Sequence, residues 1–239
     1  MAAPSPNEPS SESTDTMPNV RDVIEKISFV KQGFAAIGEY IHPNQITASR
    51  LPLVLAAIGL KDISQITAGT LYAIALTLDW FDGAVARAMP NGKTVEGTKL
   101  DQLIDKAGNI PLTAVLIAQY SEDTWLAISG ALSMLVDFRS LLQRGNPIIQ
   151  IIEGIRGTIW PSTCTVIAPD DPSAKKIEAN WQGKVKMFLQ SISLLAILVA
   201  GQIEEVRTAG AIGMGVSAVL GVWGMVKRML WSDGTEKKE

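Results

Sequence analysis

An all-α integral membrane fold, six transmembrane helices preceded by an amphipathic interfacial helix, is what this sequence predicts. Three observations carry that expectation. Hydrophobic residues make up 47% and charged residues 19% of the 239, against roughly 25% charged in an average soluble domain. Mean hydropathy is +0.20, although residues 1–19 are almost wholly polar. Six apolar stretches follow, near 45–60, 66–89, 98–120, 124–143, 184–202 and 206–231, and most can hold the ~20 residues that cross a bilayer as a helix. With a cytoplasmic N-terminus, the outer loops near 61–65, 121–123 and 203–205 and their edges hold only Lys61 and Arg207. The other nineteen of the 21 Lys and Arg then fall on the inner side. The positive-inside rule predicts that asymmetry, and a soluble bundle has no reason for it.

Taken in order, residues 1–19 hold four Pro and four Ser with no Lys or Arg, the composition of a disordered tail and of neither a secretory nor a mitochondrial signal. Residues 20–42 read as an amphipathic juxtamembrane helix. Val23, Ile24, Ile27, Val30, Phe34, Ile37 and Ile41 recur at helical spacing among Lys and Glu, a pattern shared by surface-lying helices and by ordinary helices on a soluble core. Residues 43–231 form the six-helix membrane domain, and 232–239 a polar C-terminal tail. At its entry, Pro43 stops the surface helix and Asn44 can cap the next one. The stretch 144–182 is long for an inner loop, and its apolar IIQIIEGI segment suits a membrane surface.

The single cysteine, Cys164, excludes a disulfide scaffold. One histidine, His42, excludes zinc sites built from His pairs or Cys/His clusters, and His42 reads as a boundary residue at a helix junction. A net charge of −3 leaves no basic footprint for nucleic acid. With no internal repeat, an inverted-repeat transporter gains no support.

The chemistry concentrates in DWFDGAVARAMPNGKTVEGTKLDQLID, residues 79–105. Asp79, Asp82, Gly83 and Ala86 lie on one helix face, and Asp101 and Asp105 share a face of the next helix. Pro90, Asn91 and Gly92 break the chain between them, so the two acidic faces can meet in a hairpin. Four carboxylates at a membrane boundary need cationic compensation, and Arg87 supplies one charge only. Hard oxygen donors without His or Cys suit Mg²⁺ or Mn²⁺, and four carboxylates have capacity for two such ions. Two divalent ions are the usual apparatus for displacement at phosphorus. Gly83 and Ala86 leave that face without bulk, so a large ligand can approach the backbone.

The pattern D-x-x-D-G-x-x-A-R, nine residues, then G-x-x-x-D-x-x-x-D resembles the motif of the CDP-alcohol phosphatidyltransferase family, and every fixed position matches. Chance alone would produce eight such positions roughly once in 10⁹ starting points. The resemblance covers about residues 40 to 230 and implies six transmembrane helices around a cytosol-facing two-metal site, behind an amphipathic surface helix. It implies that Asp79, Asp82, Asp101 and Asp105 bind the metals and that Asp105 is also the general base. Gly83, Ala86, Arg87 and Gly97 are then the cytidine-diphosphate pocket, with Thr94 a further nucleotide contact. The entry P-N-x-x-T-x-x-R, residues 43–50, is similar to the family's first helix, where Asn44 and Thr47 border the donor nucleotide. Arg50 shares a face with Thr47 inside an apolar span.

Arg139 near the inner end of the fourth span, and Lys184 and Lys186 at the start of the fifth, suit either interfacial snorkelling or the counter-charge of a phosphorylated acceptor. The segment Gly183 to Gln190 resembles G-K-x-K-T-x-x-Q of the phosphatidylglycerophosphate synthase branch, with Met187 in place of the Thr. The expected reaction transfers a phosphatidyl group from CDP-diacylglycerol to a small alcohol, sn-glycerol 3-phosphate first and an inositol phosphate second, and releases CMP. A divalent-cation transporter is the rival class. It explains the aspartates but not Gly83, Arg87 and Gly97 at fixed offsets. The expected partners are CDP-diacylglycerol, a phosphorylated small alcohol and the bilayer, with a homodimer as the candidate assembly and no nucleic acid. The expected location is a prokaryotic plasma membrane, with the site facing the cytoplasm.

Overall fold

The structure, a computed structural model, describes residues 28–89, 93–142, 146–167 and 181–232. The expected polar tail 1–19, the 20–27 part of the juxtamembrane helix, the Pro90-Asn91-Gly92 break, Arg144, residues 168–180 and 233–239 lie outside the described residues. Among the described residues the chain is all-helical. The helices are α1 (Ser28–Tyr40), α2 (Pro43–Leu60), α3 (Gln65–Ala88), α4 (Val95–Gln119), α5 (Thr124–Leu142), α6 (Pro147–Ile159), α7 (Trp181–Ala200) and α8 (Glu204–Ser232). One turn of 3₁₀ helix, Pro161–Thr163, follows α6.

Helix boundaries follow local chemistry. His42, not Asn44, caps α2. Its Nδ1 accepts from the Asn44 N–H at 3.2 Å, while its own N–H donates to Gln45 Oε1 at 3.2 Å. Partial burial holds the His42 imidazolium below its ordinary pKa, which favours the neutral ring that such an acceptor requires. The Asn44 side chain is thereby left for another partner. Ser64 and Thr94 cap α3 and α4 through their hydroxyls.

α2 packs on α3 and α4, α7 packs on α8, α8 packs on α5, and α3 meets α7 to join the two groups. The core, around Tyr72, Leu112, Leu116, Leu126, Leu194, Ile197 and Met214, is wholly buried. Small residues bring the helices close: a Cβ at Gly108 of α4 would stand 3.2 Å from Val54 Cγ1 of α2. The helices alternate in direction. At one end Asp123 Oδ2 accepts from Arg207 Nε at 2.8 Å, with the guanidinium 5.3 Å from the Tyr120 ring centroid. The other end gathers the starts of α2, α4 and α7 and the ends of α3 and α5. There α6 lies against α4 and α2.

By length and composition, 3 helices can cross a membrane among the described residues: Thr124–Leu142, Gln182–Ala200 and Glu204–Lys227. α2, α3 and α4 have spanning length at 18, 24 and 25 residues, but Arg50 and the aspartates they carry lower their hydropathy.

Candidate active site

The aspartates of α3 and α4 converge. Asp79 and Asp82 stand in the last turns of α3, and Asp101 and Asp105 in the first turns of α4. One carboxylate oxygen each from Asp79, Asp101 and Asp105 lie within 4.8 Å of one another. The cation that meets them is Arg50 of α2. Its Nη1 is 2.7 Å from Asp79 Oδ1, 2.7 Å from Asp101 Oδ1 and 3.8 Å from Asp82 Oδ2, and its Nη2 pairs with Asp105 Oδ1. Arg50 is buried, with its side chain 6% exposed. The sequence places Arg50 on the Thr47 face but offers Arg87 as the counter-charge. The signal for Arg50 is that a fixed charge inside an apolar span requires partners.

Thr47 Oγ1, one turn before Arg50, donates to Asp82 Oδ2 at 2.6 Å. Exposure divides the four carboxylates. Asp82 is buried and Asp105 nearly so, while Asp79 and Asp101 are about two-fifths exposed and form the open rim. Four carboxylates against one guanidinium leave a formal charge of −3 on this group of five side chains. Hard oxygen donors with excess negative charge and an open side fit a divalent cation such as Mg²⁺ or Mn²⁺.

A second group of residues forms a shelf beside this cluster. Thr94 Oγ1 accepts from the Gly97 N–H at 3.0 Å. Gly97 faces Asn44 so closely that a Cβ there would overlap Asn44 Oδ1 and stand 2.8 Å from Thr94 Oγ1. Asn44 Nδ2 donates to the Gly157 carbonyl at 3.2 Å and lies 3.7 Å from Cys164 Sγ. Burial, followed by the charge of Glu96, pushes the Cys164 thiol up in pKa, so it stays protonated. The buried Glu96 accepts from the Thr165 N–H at 2.8 Å and from Thr165 Oγ1 at 3.2 Å, and Thr94 bridges Val166. Gly83, Ala86 and Arg87 are half-buried in the turns of α3 that follow the first two aspartates.

The three cations expected near an acceptor differ in burial. Lys186 is buried and pairs with Asp137 of α5, which also accepts from Gln190 Nε2 at 2.6 Å. Arg139 and Lys184 are exposed. Asp137, 1% exposed, is absent from the sequence reading. Its signal was a lone carboxylate within an apolar span.

Comparison with known proteins bears on this geometry. A model of the CDP-alcohol phosphatidyltransferase family matches residues 40–223. The chain belongs to that family. The chain is 26% identical over 164 residues to the CDP-diacylglycerol–glycerol-3-phosphate 3-phosphatidyltransferase of Escherichia coli strain K12, covering 69% of this chain and 77% of that protein. Proteins of the same description from Pectobacterium atrosepticum, 26% identical over 155 residues (65% and 72% covered), and Yersinia pestis, 26% identical over 165 residues (68% and 78% covered), are similarly related. No solved structure matches. As a CDP-alcohol phosphatidyltransferase the protein is an enzyme, a transferase of phospholipid biosynthesis and an integral membrane protein.

Proposed function

We propose that the protein transfers a phosphatidyl group from CDP-diacylglycerol to sn-glycerol 3-phosphate and releases CMP. The observation that carries this reading is the convergence of Asp79, Asp82, Asp101 and Asp105 beside the Asn44–Thr94–Gly97 shelf. The names of the 26%-identical relatives support the acceptor. In this reading α2, α3, α4, α5, α7 and α8 all cross the bilayer, α1 lies on its surface, and the aspartate end faces the cytoplasm. The loop charges support that orientation.

The four aspartates would hold a pair of Mg²⁺ or Mn²⁺ ions, which would supply positive charge to neutralise the pyrophosphate. The chain's own residues do the rest. Asn44, Thr47, Gly83, Ala86, Arg87, Thr94 and Gly97 seat the cytidine diphosphate. Asp105, recessed behind the rim, takes the proton of the acceptor hydroxyl. That oxygen bonds to the β-phosphorus, and the bond from this phosphorus to the oxygen of the CMP phosphate breaks. Arg139, Lys184 and Lys186 supply positive charge for a phosphorylated acceptor, and the pair with Asp137 fixes Lys186 at the start of α7.

CMP release from CDP-diacylglycerol, assayed in detergent against a panel of alcohols, tests the proposal. It is expected with sn-glycerol 3-phosphate, and Arg139→Ala is expected mainly to raise the KM for that acceptor. CMP release with an inositol phosphate alone would overturn the acceptor. Nucleotide-independent Mg²⁺ flux into sealed vesicles, without CMP release, would overturn the enzyme reading.

A further inference from the structure

α6 is built inside out. Its buried side is polar or small: Gln150 is 5% exposed, and Gly154 and Gly157 are also buried, with a Cβ at Gly154 falling 2.7 Å from Leu100 Cδ1. Its outward side carries isoleucines with one charge among them, Arg156, whose guanidinium turns back to Glu96 Oε1 at 3.6 Å. Ile149, Ile152, Ile155 and Ile159 are 53%, 60%, 54% and 55% exposed, and at 3.6 residues per turn they fall within an arc of about 120°. A helix packed on a soluble core presents the opposite pattern.

Three observations identify what covers the isoleucines. α6 follows α5 and precedes α7, both long and apolar enough to cross a membrane, so it is held where spanning helices leave the hydrocarbon. The outward face of α5 is itself apolar up to that end, with Leu135, Phe138 and Leu142 more than half exposed, and the isoleucine face continues this belt. Trp160, 58% exposed, closes the helix, and Trp favours the headgroup level. Within α6 the charges of Glu153 and Arg156 balance, so nothing in the helix demands an anionic partner.

The buried side meets the shelf. Gly157 accepts from Asn44, Glu153 Oε2 accepts from Lys99 Nζ at 2.8 Å, and the strand-like segment after α6 pairs through the Val95 N–H to Thr165 O and the Ile167 N–H to Lys93 O, both at 3.0 Å. We propose that α6 is a lipid-seated brace, its isoleucine face in the bilayer boundary and its glycine face holding the Asn44–Thr94–Gly97 shelf.

A nitroxide scan of the full chain in phosphatidylcholine nanodiscs tests the seating. In a Cys164→Ser background, single cysteines at Ile152 and Ile155 are compared with Leu135 on α5 and with Glu122 in the opposite loop. Labels at 152 and 155 are expected to collide with oxygen far more than with a polar nickel complex, as at 135, and to do so at any salt concentration. Nickel accessibility like that at 122 would overturn the proposal. So would spin–spin broadening that dilution with unlabelled protein removes, which would mean a second copy covers this face. A photoreactive phenylalanine at 152 in the otherwise unaltered chain repeats the test without touching Cys164: lipid adducts support the brace and protein adducts overturn it.

The bracing arm rests on the phosphatidyl-transfer reading, whereas the labelling arm does not. The double variant Ile152→Glu, Ile155→Glu is expected to raise the KM for the CDP-lipid about tenfold in nanodiscs with kcat little changed. An unchanged KM would overturn the bracing role and leave the transferase reading intact.

Discussion

Arg50 Nη1 lies 2.7 Å from both Asp79 Oδ1 and Asp101 Oδ1, so one guanidinium from α2 joins carboxylates of two other helices. Removing one partner of a buried ion pair costs about 3–5 kcal/mol. Asp79 and Asp101 are partly exposed, so water screens their share and the lower end of that range applies here.

Arg50→Ala therefore leaves four carboxylates facing one another without the guanidinium that joins them. Its melting temperature in EDTA is expected to fall below that of the unaltered enzyme. Adding Mg²⁺ is expected to raise it by more than it raises the unaltered enzyme. Arg50→Lys should fall between, since a point charge cannot reach both sides as the planar fork does. Equal Mg²⁺ shifts in all three proteins would mean that Arg50 is not the counter-charge.

Metal ligation and proton removal separate on Asp79 and Asp105. Activity is expected to vanish in EDTA and return with Mg²⁺ or Mn²⁺. Asp105→Asn should lower kcat by roughly 10²–10⁴-fold, the range typical of general-base loss, and excess divalent ion should restore little. Asp79→Asn should recover part of its activity by mass action as the ion concentration rises. Near-normal turnover of Asp105→Asn at saturating metal would remove Asp105 from the role of base.

Gly97→Ala inserts a methyl group against Asn44 and Thr94. Because the shelf lies beside the cluster and not in it, the expected result is a raised KM for the CDP-lipid with a smaller effect on kcat. A loss confined to kcat, with KM unmoved, would place the shelf outside donor binding.

The opposite end of the bundle carries a pH signature. A hydrogen bond from the Leu126 N–H, and then Arg207, hold the Asp123 carboxyl below the usual carboxylate range. A depressed folded pKa contributes stability that is complete above the unfolded value of ~3.9 and is lost as pH falls through the folded value. Asp123→Asn keeps a capping oxygen but loses the charge, so it should melt lower at pH 7 by less than about 1 kcal/mol of stability. Thermal melts at pH 7 and pH 3 should show the gap closing on acidification. A gap that persists at pH 3 would assign the effect to packing.

Helix positions were legible because apolar runs and caps are local. The expected stretches 66–89 and 124–143 become Gln65–Ala88 and Thr124–Leu142. The meeting of Asp79 with Asp101 was also legible, since i, i+3 and i+4 spacing fixes a face and a short connection brings two faces together. Asn44 misled as a cap because Pro43 moves the start of α2 back by one residue, and His42 takes that role. The IIQIIEGI stretch of 144–182 was legible as suited to a membrane surface, but its isoleucine pattern does not state which helices its other face meets.

By itself, then, the sequence determined an all-helical membrane chain, the carboxylate set on α3 and α4, and the family to which that spacing belongs. The tertiary structure alone decided that Arg50 stands among those carboxylates, that Asp137 pairs with Lys186, and that α6 sets its other face against α4 and α2. The physical reason is range. Periodicity and capping act within a few residues and can be read along the chain. A charge's partner across helices depends on the register at which α2, α3 and α4 pack, and contacts such as Val54 against Gly108 set that register.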